Sequence, residues 1–285
     1  MLETVVLAPG SRRRAGLTLL ELVVVLAILV AIAAILVPLL PEYLGKGNQS
    51  AAATNMGELD KAIQTFRTTY SRQPNYFDSL LTADAPSGLL PGADATTSTA
   101  AGGYLDVWTL TSGPASRLSR EGITAVYDIL GAVPATTDAT YADFHATLNP
   151  YGSSPPTSRG LATGNKVLVL DVTLLKNGNS QLGAQLDATH KYAVFGIGKY
   201  CNLCGPDGIV KEAPVYGQHS QENTPSTTYQ RFAAVYDIGL DNTDTDRVNA
   251  KFIGVIAIGP DRLFSCGDLV GAYGDNRYDA AVPRE

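Results

Sequence analysis

Charge is missing from one stretch of this chain altogether: no Asp, Glu, Lys or Arg stands between Glu21 and Glu42. Over the 285 residues charged side chains reach only 17%, against about 25% in an average soluble domain, and that gap is the local cause of the deficit. Cysteine is scarce, with three residues, which excludes a scaffold built on disulfides. Clustered bases are also lacking. The net charge is -6, the isoelectric point is near 5.1, and the only basic run is Arg12, Arg13 and Arg14, so a nucleic-acid partner is not expected. Histidine is limited to His145, His190 and His219, and H-E-x-x-H, G-x-S-x-G and the phosphate-binding G-x-x-x-x-G-K-[ST] are all absent. Nothing here points to an enzyme.

What is present is concentrated at the N-terminus. Leu22 to Leu40 is an unbroken apolar run, and a helix over residues 17–40 would be about 36 Å long, enough for a hydrocarbon core of about 30 Å. The three arginines precede the run and nothing comparable follows it, which predicts a cytoplasmic N-terminus and an exported remainder. A cleaved secretory signal fits poorly, because the run exceeds the usual apolar core and no A-x-A-like site directly follows it. A plain signal anchor does not explain Glu21. A carboxylate inside a membrane-spanning helix costs about 2.5–3.5 kcal/mol on insertion scales and calls for a partner.

The sequence Arg12-Arg-Arg-Ala-Gly16-Leu17-Thr-Leu-Leu-Glu21, followed by the apolar run, resembles the prepilin leader of type IV pilins and type II secretion pseudopilins. The resemblance implies cleavage after Gly16 by a prepilin peptidase and N-methylation of the new terminus, Leu17, where most of the family has Phe. Glu21 takes the family's acidic position, which implies pairing with the terminal amine of a neighbouring subunit during assembly. Two charges otherwise costly in a helix bundle would then offset one another and set axial register. Pro38 matches the helix-breaking proline of many members; it lacks an N–H and is expected to disrupt the helical ladder.

Beyond Pro41, Gly45 and Gly47 suggest a joint, after which Met56, Leu59, Ile63, Phe66 and Tyr70 recur at helical spacing as one apolar stripe. Gln73-Pro74-Asn75 ends that helix. Residues 83–103 and 149–165 read as loops, and strand-like runs cover 104–111, 166–175, 191–198, 231–238 and 250–258, with 121–130 open between strand and short helix. The expected fold is α+β and pilin-like: a long N-terminal helix, transmembrane in its first half, packed on a mainly antiparallel sheet with inserted loops. The expected organisation is a leader at 1–16, an assembly helix at 17–40, its amphipathic continuation at 41–72 and an exported domain at 73–285. Ala125-Val-Tyr-Asp-Ile129 recurs as Ala234-Val-Tyr-Asp-Ile238, either a duplicated strand or convergence of similar strands.

Two further groups are candidates for chemistry. Eight aspartates fall between Asp237 and Asp279, and Asp241, Asp244 and Asp246 form an oxygen-rich turn that with Asp268 and Asp275 is a candidate calcium site, the alternative being solvated turn acids. Cys201, Cys204 and Cys266 admit a structural disulfide, a zinc site completed by His219, or free thiols; an exported location favours the disulfide, with the pairing open.

Taken together, these features predict a structural subunit of a type II secretion pseudopilus in the bacterial inner membrane. Its partners would be prepilin peptidase, other pilin or pseudopilin subunits and an inner-membrane assembly platform. A minor pilin of a type IV pilus is the near alternative. A membrane-tethered, calcium-dependent binding module that never polymerises is the alternative of another class.

Overall fold

The computed structural model describes residues 19–82, 99–100, 105–129, 158–177, 181–214, 232–239, 247–258 and 263–265, and within the first helix no side chains over 35–49. Two compact units divide the chain, Met1–Leu44 and Gly45–Glu285. Helix α1 is assigned over Leu19–Tyr70. It runs through Pro38, Pro41, Gly45 and Gly47, where the sequence predicts a break and a joint. A proline removes one backbone hydrogen bond and a glycine adds entropy cost, but neither forbids helical backbone.

In the second unit, Ala52, Met56, Leu59, Ile63 and Phe66 are buried along one side of α1. Tyr70, the last member of the predicted stripe, is half exposed and instead rests its ring on Phe66, with centroids 4.5 Å apart. Ser71 turns to a φ of 54° and ends the helix, close to the predicted stop. Buried Glu121 then fixes the exit: it accepts from Arg67 Nη2 at 3.2 Å and from Asn249 Nδ2 at 3.0 Å, while its carbonyl accepts from the Gln73 N–H at 2.7 Å.

The strands are β1 Phe77–Thr82, β2 Thr99–Ala100, β3 Leu105–Thr109, β4 Ala125–Ile129, β5 Ser158–Gly160, β6 Lys166–Leu170, β7 Lys191–Gly196, β8 Phe232–Gly239, β9 Lys251–Ile258 and β10 Leu263–Ser265. They form one sheet in which β10, β9, β8 and β7 follow in antiparallel order. At β7 the sheet forks. Its residues 193 and 194 pair with β6, which continues to β3 and β2, while Gly196 pairs with Asp78 of β1, which continues to β4 and β5. Among the described strands only β1 and β4 run parallel.

Both faces of the central strands are apolar, as the near-continuous hydrophobic runs in the sequence imply. Val167, Val169, Ala193, Phe195, Ala234 and Tyr236 face the core shared with α1 and with helix α2, Ser112–Arg120. The alternate residues Leu168, Leu170, Tyr192, Val194, Ala233 and Val235 face a second core, closed by helices α3, Val172–Asn177, and α4, Gln181–Gln185. The result is an α+β unit with helices on both sides of a mainly antiparallel sheet.

Two predicted boundaries are corrected. The strand expected over 166–175 stops at Leu170, because Asp171 caps α3: its Oδ1 accepts from the Leu174 N–H at 3.0 Å and its carbonyl from the Leu175 N–H at 3.1 Å. The loop expected over 149–165 contains β5, held to β4 through Arg159, whose Nε and Nη2 donate to the two Asp128 carboxylate oxygens at 2.7 and 2.9 Å.

The repeated pentapeptide does not behave as a duplicated strand. Val126 belongs to the first core and Val235 to the second, so the same five residues present opposite faces. Its aspartates differ too: Asp128 takes Arg159, whereas Asp237 Oδ2 lies 2.8 Å from His190 Nδ1.

Candidate functional site

Gly16 and Leu17 lie outside the described residues; the described part of the segment begins two residues later. From Leu19 to residue 34 every position of α1 is exposed, and nearly all are Leu, Val, Ile or Ala. Leu19 is 82% exposed and Ile32, the least exposed of the large side chains there, still 48%. Among the described residues of this segment none is buried on any side of the helix.

That distribution has a physical consequence. A helix apolar all round is stable only where it is surrounded, by lipid or by other helices. Glu21 is the one charged residue between Leu19 and residue 34. It sits in the first turn, where a carboxylate also opposes the positive end of the helix dipole. Among the described residues no helix is long and apolar enough to cross a membrane. Pro38 lies in α1 as backbone, and the helix continues past it.

The other candidates divide between places that are described and places that are not. Asp241, Asp244, Asp246, Asp268 and Asp275 lie outside the described residues, as do Cys266 and His219. Among the described residues no three His, Cys, Asp or Glu converge in a way that could hold a metal ion.

Cys201 and Cys204 are brought together, both buried and not bonded to one another. The Cys204 N–H donates to the Cys201 carbonyl at 2.8 Å, closing a turn. Gly205 N–H then donates to the Val210 carbonyl at 2.9 Å and Val210 N–H to the Leu203 carbonyl at 3.0 Å, folding the segment back on itself. Gly208 is required at that fold, since a Cβ there would stand 2.5 Å from the Leu203 carbonyl oxygen. Asn202 ties the turn to the exit of α1, its Oδ1 accepting from the Asn75 N–H at 2.7 Å. Burial, and then the neighbouring Cys204, push the Cys201 thiol well above the usual thiol range. A redox-active thiol needs the opposite shift, so this turn has the chemistry of a packed core element.

One feature the sequence reading missed is the His190–Asp237 pair. Because an ionised carboxylate only accepts, His190 Nδ1 carries the proton of this contact. Among the described residues no serine, threonine or cysteine side chain is bonded to His190, so these residues assemble no nucleophilic triad with the pair.

Residues 11–37 match the model of the prokaryotic N-terminal methylation motif. The match indicates a type IV pilin-like protein, a substrate of prepilin peptidase that assembles with other pilin subunits, and it does not distinguish a pilin from a pseudopilin. It is confined to the N-terminal segment and includes nothing of the unit that begins at Gly45. No curated protein and no solved structure matches the chain.

Proposed function

We propose that this protein is a specialised subunit of a type II secretion pseudopilus, cut after Gly16, methylated at Leu17 and held in the fibre through the first part of α1. One observation carries the assembly reading: a helix segment exposed at every position and apolar but for a single carboxylate near its start, inside a prepilin-type motif. In a bundle of such helices each copy supplies the apolar surroundings the others lack, and Glu21 can meet the new amine of a neighbour. The size of the unit from Gly45 onward favours a low-copy member over one repeated along a long fibre.

On this reading the helix resides in the inner membrane before assembly, with its N-terminus cytoplasmic and the larger unit exported. The role is structural, and catalysis is not assigned. The test is Glu21→Ala expressed in cells with an active assembly machine. The variant should remain in the membrane fraction and lose incorporation into sheared fibres, as read by immunoblot. Undiminished incorporation would refute the assembly role of Glu21.

A further inference from the structure

The larger unit carries a polar cavity of about 390 Å³ where β3, β6 and β7 meet the start of α3, lined among others by Asp106, Trp108, Asp171, Thr173, His190 and Lys191. Its volume is within the range of about 300–1,000 Å³ typical of small-ligand pockets. The strand register explains why these residues converge. Asp106 stands opposite Val169, and Val169 opposite Ala193, so the three form one row across the sheet. Period-two alternation then puts Trp108 and Lys191, each two residues from that row, on the same face, and Asp171, just past the end of β6, joins them in the lining. Trp108 packs against the first core at one end of the row, and the charged residues continue beyond it.

The chemistry of this lining selects a ligand class. Asp171 and Lys191 both lie within electrostatic range of Asp106, the first repelling its carboxylate and the second attracting it. Among the described residues no hydrogen bond is made to the Asp106 carboxylate or from the Lys191 ammonium. Asp171 uses one oxygen to cap α3 and keeps the other. His190 is fixed by Asp237, which leaves Nε2 as an acceptor while the ring is neutral. An anion would meet two carboxylates, and a divalent cation would meet Lys191 with too few acids to hold it. A neutral ligand with adjacent hydroxyl groups suits acceptors, a donor and an aromatic ring set side by side.

We infer that this cavity is a carbohydrate-binding site, with Asp106, Asp171 and Lys191 bonding sugar hydroxyls and Trp108 providing the apolar wall. The inference does not depend on filament assembly. Trp108 is the only tryptophan of the chain and therefore reports on the cavity directly. The full-length protein in detergent micelles is titrated with maltose, cellobiose, mannobiose and diacetylchitobiose, and separately with calcium chloride and spermidine, following Trp108 emission. A saturable change with at least one disaccharide is expected. Asp106→Asn and Lys191→Gln should each weaken it about tenfold or more, the loss expected for a charge-assisted hydrogen bond. Circular dichroism verifies the fold of each variant, so that one remains informative if the other unfolds. No response to any disaccharide, a sugar response that survives both substitutions, or saturation by calcium or spermidine alone would each overturn the assignment.

Discussion

Replacing Ile63 by Ala tests how the second part of α1 is held. Ile63 is completely buried, in the core that α1 shares with Phe195, Tyr236 and Val169. The substitution removes three carbon atoms, and at about 0.8 kcal/mol for each buried methylene the transfer loss alone is about 2.4 kcal/mol. The residual cavity adds to this. The aromatic cluster behind the helix, with Phe77, Phe195 and Tyr236 centroids 5.9–6.2 Å apart, is cross-braced and cannot collapse freely into the space. The expected total is about 3–4 kcal/mol, inside the range of about 2–5 kcal/mol for such truncations. Tyr70→Ala is the control, because Tyr70 belongs to the same sequence stripe but is 48% exposed. It should lose about 1 kcal/mol or less, chiefly its contact with Phe66. Urea denaturation of the full-length protein in micelles, followed by Trp108 fluorescence, gives both values. If the two substitutions cost the same, or if Ile63→Ala costs under about 1 kcal/mol, the helix is not seated on the sheet as described.

Other predictions concern the joints of the larger unit. Arg159→Met, which leaves the partly buried Asp128 with the Ser79 hydroxyl in place of a bidentate cation, should lower stability by about 1–2 kcal/mol, and a double-mutant cycle with Asp128→Asn should return most of that as coupling. Gly239→Ala should cost about 1–3 kcal/mol in the same denaturation assay. Gly239 sits at φ +82°, and an added Cβ would displace the Arg117 guanidinium that donates to the Ile238 carbonyl at 2.7 Å. With Cys201 reduced, its thiol is raised by burial and then by Cys204, and the Tyr236 hydroxyl is raised by burial and then by Cys201. A group raised on folding contributes stability below its unfolded value and loses it above. The melting temperature should therefore fall as pH rises past about 9 and again past about 10, and Cys201→Val should remove the first part of that fall.

How far these features were legible depended on whether one periodicity dominated. The stripe from Met56 to Phe66 and the runs that became β6 to β9 were readable because packing on one or both faces left no competing pattern. Helix α3 was hidden in the tail of an apolar run, although Asp171 followed by Val-Thr-Leu-Leu is an N-cap signal that could have found it. β1 was missed because Asp78 and Ser79 are polar yet buried, and because Tyr76 and Leu80 adopt positive φ values of 62°, which no propensity foretells. Helix α2, with the sequence SGPASRLSR, looks like a loop by composition, and only its placement over the sheet buries Ala115 and Leu118. The cavity at Asp106, Asp171 and Lys191 was not legible either. Its members are far apart in sequence and become neighbours only once the register of β3, β6 and β7 is set. At the N-terminus, by contrast, the basic run, Gly16, Leu17 and Glu21 form a pattern by local spacing alone, so they can be proposed from the sequence without a fold.

The central claim is that this chain is a processed, assembling pilin-like subunit, and the most direct test is the intact mass and N-terminal sequence of the protein recovered from its native membrane. The account predicts loss of residues 1–16 and a methyl group on the amine of Leu17. A full-length, unmethylated chain in cells with active prepilin peptidase would contradict it.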